Sequence, residues 1–382
     1  MCATAAKHRK FRITDAMGVV MDARRQNLSA VGIVLLTFMI TPVFGQAQHI
    51  PRTPSGKSDL SGTYDVATLT PLQRPARFGD KASLTEEEAA ELERQEFDRH
   101  LDRNASSNPN REAPPAGGDG SAGAAGNVGG YNTFWIDRGS SPVLVDGQYP
   151  TSIIIDPPNG RQPPMTPDAQ AKTAERTLRR RENSGTAWWM IENGPDAPGP
   201  YDDPEIRPLA ERCLLGFSST GGPPMLPALY NNLKRIVQTD DYVMILVEMV
   251  HDARIVRINQ EHAPPEIRGW LGDSIGHWEG DTLVVDTTNF NDTPALRAAT
   301  RDLHVVERFT RVDVDTLRYE FTVEDPNVWT APWSGEYVWP TSSNRVYEYA
   351  CHEANYSFRG ILGGARVLEQ DVRDDNVPDQ GR

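Results

Sequence analysis

From Asn232 onward the apolar residues recur with a period of two, in one short segment after another, and few architectures can satisfy such a pattern. Residues 234–238, 242–249, 253–258, 283–288, 303–312, 316–323 and 345–351 each read as a strand, because side chains in extended backbone alternate between two faces. Turns as short as Thr239-Asp240-Asp241 and Asp313-Val314-Asp315 join some of them. Connections that short demand antiparallel pairing, since parallel neighbours need a crossover of a dozen residues or more. Many such strands in succession predict a mainly β chain, an antiparallel barrel or sandwich. The sequence has no βαβ alternation and neither Gly-x-Gly-x-x-Gly nor Gly-x-Ser-x-Gly, which disfavours a Rossmann domain and an α/β-hydrolase.

Two peripheral helices are expected ahead of the strands. The first covers 83–103: Thr85 caps it, Glu88 completes a capping box, and Glu86 to Glu88 face the positive end of the dipole. Its sparse apolar residues (Ala89, Leu92, Phe97, Leu101) place it on the surface. The second starts at Thr166-Pro167 and runs to about Glu182, where Arg179, Arg180 and Arg181 complement the other end of a dipole. Between them, 104–130 is Gly, Ala, Pro, Ser and Asn, a flexible loop within one domain spanning 59–366. Residues 48–58 read as a disordered tail and 367–382 as a polar C-terminal tail.

The one long apolar run, 28–44, follows Arg24 and Arg25 and ends at Gly45, Gln46 and Ala47. This is the three-part pattern of a cleaved signal peptide. A membrane anchor needs roughly 20 strongly apolar residues, and this run is shorter and carries two threonines and Pro42. Residues 1–20 add nothing a leader needs, so the start is placed at Met21 or Met17. The expected location is periplasmic or secreted, with no stable membrane anchor after cleavage. Without the leader's six Lys or Arg and two acids, 33 basic and 51 acidic residues remain of 39 and 53. So acidic a chain is not expected to bind nucleic acid. Of three cysteines, Cys2 leaves with the leader; Cys213 and Cys351 are expected to form a disulfide in an oxidising compartment, the alternative being two buried thiols.

Several motifs together resemble a widespread family of uncharacterised secreted bacterial proteins. They are Thr70-Pro71-Leu72 with Arg74-Pro75, Glu248-Met249 with His251-Asp252, and Trp278-Glu279-Gly280-Asp281-Thr282-Leu283-Val284-Val285 running on to Asp286-Thr287. Glu307-Arg308-Phe309 and Tyr349-Ala350-Cys351-His352-Glu353 complete the set, which spans about 60–366. The resemblance carries no activity with it. The Gly-x-Trp and Gly-Asp-x-Leu turns are also similar to a lipocalin meander.

Four histidines in or beside the strands (His251, His277, His304, His352) have an acid close in sequence. Imidazole beside carboxylate suits acid–base work near neutral pH, and three imidazoles can hold zinc, although no known metal spacing is present. Metal and cofactor content stay open. Parity puts His251 on the apolar face of its strand, pairs His304 with Arg308, and pairs His352 with Glu348. Alternation sends either Glu307 or Arg308 inward, where a charge needs a partner. The expected site is therefore lined by Glu248, His251, His304, Arg308, Glu348 and His352, with His304 or His352 as acid–base and Arg308 steadying negative charge. The loop histidines His49, His100 and His262 are set aside. Tryptophans beside Gly and Pro either rim a barrel mouth or pin loops, and Gly221-Gly222-Pro223-Pro224-Met225 is a rigid loop that could flank such a mouth. The leading expectation is a barrel that binds a small, partly apolar molecule. The alternatives are a lyase, isomerase or hydrolase using His and Glu, with or without metal, and an envelope interaction protein with the 104–130 loop as its arm.

Overall fold

The computed structural model describes residues 50–104, 110, 136–178 and 185–376. The expected leader, nearly all of the 104–130 loop, the three arginines Arg179 to Arg181 and the last six residues lie outside the described residues.

The fold is mainly β. Strands β1 (Gly62–Asp65), β4 (Ile154–Asp156), β5 (Leu233–Gln238), β6 (Tyr242–Val247), β7 (Ala253–Ile258), β8 (Asp273–Glu279), β9 (Thr282–Thr288), β10 (His304–Arg311), β11 (Thr316–Glu324) and β12 (Trp333–Pro340) form one ten-stranded sheet. Their order is β1-β5-β6-β7-β8-β9-β10-β11-β12-β4. A separate pair joins β2 (Ser83–Leu84) to β3 (Tyr149–Pro150). The large sheet curls into a half-barrel: Tyr64 of β1 bridges Thr341, just past β12, and the Ser342 amide donates to the Thr63 carbonyl at 2.8 Å. It is mixed rather than purely antiparallel. β7 and β8 run parallel, because connection 259–272 is long enough to cross over.

The concave face is packed solid. Phe309, Tyr319, Phe321, Trp333, Tyr337 and Trp339 are buried there with ring centroids 4.6–5.9 Å apart. Tyr319 and Tyr337 face each other across β11 and β12. Gly335 opposes Phe321, where a Cβ would lie 2.3 Å from the ring, so only glycine lets the rings close up. Trp333 and Trp339 thus fill the half-barrel instead of rimming a mouth. The loop Gly221-Gly222-Pro223-Pro224-Met225 is buried and covers the same face: the Met225 amide donates to the Tyr319 hydroxyl (2.8 Å), and the Tyr337 hydroxyl donates to the Met225 carbonyl (2.9 Å).

Helices α1 (Glu86–Arg103) and α2 (Pro167–Leu178) stand where their caps place them. Thr85 and Glu88 form the reciprocal capping box, and the Thr166 hydroxyl accepts from the Ala169 amide at 3.2 Å. Three expectations are corrected. Residues 345–351 form no strand but a connection leading to α4 (Cys351–Ala354). The supposed C-terminal tail begins inside an 18-residue helix, α5 (Tyr356–Arg373), hidden from the sequence by Gly360, Gly363 and Gly364, which oppose helix intrinsically. Residues 50–58, read as disordered, are docked: Arg52 bridges Ser58, which is fully buried, and pairs with Asp281 at 2.6 Å. α5 packs Ala365, Leu368 and Val372 against α3 (Trp188–Asn193), and the Trp189 indole donates to Glu369 at 3.2 Å. The Cys213–Cys351 disulfide (Cα–Cα 5.7 Å) ties the start of α4 to the segment before β5. Among the described residues no helix is long and apolar enough to cross a membrane.

Candidate functional site

Alternation along β10 sends Glu307 inward and Arg308 outward, and the inward charge has the partner it requires. Arg254 of β7, equally buried, donates to Glu307 at 2.5 and 2.9 Å, and the Tyr319 hydroxyl donates at 2.7 Å. Desolvation opposes the Arg254 cation, but Glu307 outweighs it and holds the guanidinium charged; burial raises the Tyr319 hydroxyl well above its usual range. This network sits within the aromatic core and holds strands together; nothing about it is open to a substrate. Outward, Arg308 donates to the exposed Glu279 at 2.8 Å, beside His277.

Lys234 shares the concave face with Ile236 and is fully buried, with no hydrogen-bond partner for its Nζ. Burial lowers it to about 7, against the opposing pull of Glu248, Asp252 and Asp65. The same burial lifts Asp252 to about 6, although the Gly216 amide donates to it at 3.2 Å, and raises Glu248.

On the convex face the structure joins residues the sequence keeps apart. Asp286 of β9 takes hydrogen bonds from two imidazoles, His304 Nε2 at 2.8 Å and His262 Nε2 at 2.9 Å. His262 Nδ1 lies 2.8 Å from Asp273, which Arg257 also grips at 2.6 and 3.1 Å. Burial works against the Asp273 carboxylate, yet the bonds from Arg257, the Ala263 amide and His262 prevail and hold it at about 2. The bond to Asp286 raises His304. His262, set aside as a loop histidine, thus fastens the β7–β8 crossover to the sheet. No spacing rule reveals this, since the contact depends on the parallel pairing.

The six expected site residues do not converge. His304 belongs to the Asp286 cluster and Arg308 to Glu279. His251 does not point into the core: β6 ends at Val247, and Val250 and His251 take positive φ (58° and 45°) in the turn to β7, leaving the imidazole exposed. It edges a cleft of about 670 Å³ that Glu348 also lines. Glu248, beside it, is buried under the Tyr347 amide and the Asn231 side chain, both of which donate to it. His352 stands apart in a second cleft. Among the described residues no group of His, Cys, Asp or Glu has the arrangement of a metal site.

That second cleft, of about 790 Å³, lies between α5 and residues 201–214. Its floor is apolar: Tyr201, Leu214, Phe358 and Leu362. Asn355, Phe358, Arg359, Leu362, Gly363 and Arg366 all line it, at the three- and four-residue spacing of one helix stripe. The C-terminal half of α5 packs Ala365, Leu368 and Val372 with α3, while Phe358 and Leu362 of the N-terminal half line the cleft. The disulfide sets the cleft's geometry. Cys213 lies between the lining residues Arg212 and Leu214, Cys351 precedes His352, and Asn355 Nδ2 donates to the Glu211 carbonyl at 2.7 Å. No protein family's profile matches the chain, and no curated protein does.

Proposed function

We propose that the chain is an exported protein that binds a small, partly apolar molecule, and that the molecule sits in the α5 cleft, not on the concave face of the sheet. The observation that carries this reading is the unpartnered N-terminal stripe of α5, facing an apolar floor across a cleft of ligand size. The concave face offers no such space, being filled by rings. Export is supported by the leader pattern and by a disulfide, which suits an oxidising compartment. The imidazole chain at Asp286 gives the alternative, an acid–base enzyme, one feature in its favour, but neither cleft is lined by His262 or His304.

Nile red, a neutral dye that brightens in apolar surroundings, tests the binding site on the full mature protein. Its emission should rise and shift to the blue, and Leu362→Asp should abolish the change without lowering Tm. Equal emission from both proteins would refute the cleft. Sequencing the N-terminus of exported protein should place the cut near Ala47; a membrane-bound form that keeps residues 28–44 would refute export.

A further inference from the structure

The charges at the cleft's edge say more about its occupant. The chain as a whole is acidic, at −14, yet the rim of this cleft carries Arg212, Arg359 and Arg366, with His352 beside them. These arginines are not equivalent. Arg366 is already neutralised by Asp202 at 2.9 Å and Glu369 at 2.5 Å. Among the described residues Arg212 donates only to the Glu205 carbonyl, at 3.4 Å, and has no acidic partner. Among the described residues Arg359 makes no ion pair or side-chain hydrogen bond. Other arginines of the described chain are paired, as Arg52 is with Asp281, Arg257 with Asp273 and Arg308 with Glu279, while Arg235 and Arg345 of the other cleft, like Arg212 and Arg359, have no ion pair. Arg359 is one helical position from Phe358 and three from Leu362, so an apolar body lying on those two side chains ends within reach of its guanidinium.

We infer that the occupant is an amphiphile with one anionic head, a carboxylate on an apolar chain, held by Arg212 and Arg359 while Phe358 and Leu362 take its body. A guanidinium presents a planar fork that matches a carboxylate in two parallel hydrogen bonds, which an alcohol cannot accept. The inference rests on the reading of the cleft as a binding site.

The test is calorimetric titration of the full mature protein with decanoate and with decanol, which share a body and differ in the head. Decanoate should bind more tightly, by roughly tenfold, with Arg212→Gln and Arg359→Gln each costing it roughly two- to fivefold, the range for exposed ion pairs. Added salt should weaken decanoate and leave decanol unchanged. Phe358→Ala should weaken both. Equal binding of the two ligands, insensitive to the arginine variants but lost in Phe358→Ala, would overturn the anionic head and leave the binding reading standing. Binding of neither ligand would sink both. Self-association that Arg359→Gln abolishes would make the occupant a second copy of the chain and overturn the small-molecule proposal. Decyl phosphate binding as tightly as decanoate would overturn the assignment to a carboxylate in favour of any oxyanion.

Discussion

The half-barrel and the α3–α5 flank bury apolar surface by different means. In the sheet, every strand contributes alternate side chains to one face, and six large rings close on one another without a gap that a methyl group could enter at Gly335. In the flank, one helix stripe meets a cluster whose fully buried members are only Ala187, Trp189, Met190 and Ala365, and a disulfide fastens the nearby chain. The concave face leaves nothing over, and the sheet's spare apolar side chains, Val237, Tyr242 and Ile255, lie exposed on its outer face. The flank has half a helix stripe to spare, and that surplus is where a ligand fits. A dense core serves as scaffold, while a sparsely packed region has both the free surface and the mobility that binding needs.

The sharpest test of that contrast is Glu307→Ala. It strands Arg254 in the core and should cost roughly 3–5 kcal/mol, as for other broken buried ion pairs. Urea unfolding measures it. The double change Arg254→Met with Glu307→Met should recover most of the loss, because two charges are then removed together. A cost under about 1 kcal/mol for the single change would mean that the network does not hold the sheet.

Replacing Cys213 and Cys351 by serine comes next, with a loss of roughly 2–5 kcal/mol. The loss should be local. Dye binding in the α5 cleft should disappear, while near-ultraviolet circular dichroism from the Tyr319, Tyr337 and Trp339 cluster should persist below the melting point. A simultaneous loss of both signals would show that flank and sheet are one cooperative unit.

What the sequence reveals follows the same division. Strands β5, β6, β7, β9, β10 and β11 were legible because clean alternation reports a face buried along its whole length. β8 and β12 were missed: Gly276 and Gly335 stand where alternation demands an apolar side chain. Parity required one inward charge in β10 without saying whether Glu307 or Arg308 supplies it, and it could have found Lys234, which shares a face with Ile236 and Gln238. His251 misled because parity presumes that the strand continues, and two residues at positive φ end it. The α5 cleft was not legible at all beyond His352. It depends on which half of a glycine-bearing helix finds a partner, and that is a tertiary fact.

Lys234 gives a pH test confined to the sheet. Its folded value, about 7, lies below its ordinary 10.5, so between the two the unfolded chain binds more protons. Stability must therefore rise with pH across that window. Relative to Lys234→Met, the wild type should gain roughly 2 kcal/mol between about pH 7.5 and about pH 9, at about 1.4 kcal/mol per unit. Asp252 acts with the opposite sign at lower pH: held near 6, it binds the extra proton when folded, so its part of the stability falls as pH rises from about 4 to about 6. Parallel pH curves for wild type and variant would show that water reaches the amine.

The smallest effect expected is at the crossover that makes the sheet mixed. His304 is raised by Asp286, so its contribution to the clamp is fully present below its ordinary value of 6.5 and is lost as pH climbs through the elevated folded one. Asp273, held at about 2, contributes above its ordinary 3.8 and fails only in strong acid. His262 lies within hydrogen-bond distance of both Asp273 and Asp286 and pins residues 259–272. Because His304 and Asp286 are each about a third exposed, solvent screening limits the pair to under about 1 kcal/mol. Hydrogen exchange resolves an effect that small when it is local. Amides in 259–272 should lose protection as pH rises above about 6.5, beyond the intrinsic rise in exchange rate. His304→Gln should show the lower protection at every pH, while amides of β11 and β12 should not respond. If the crossover keeps its protection through that range, the imidazole pair is not what fastens it, and the parallel junction of β7 and β8 is held by its backbone ladder alone.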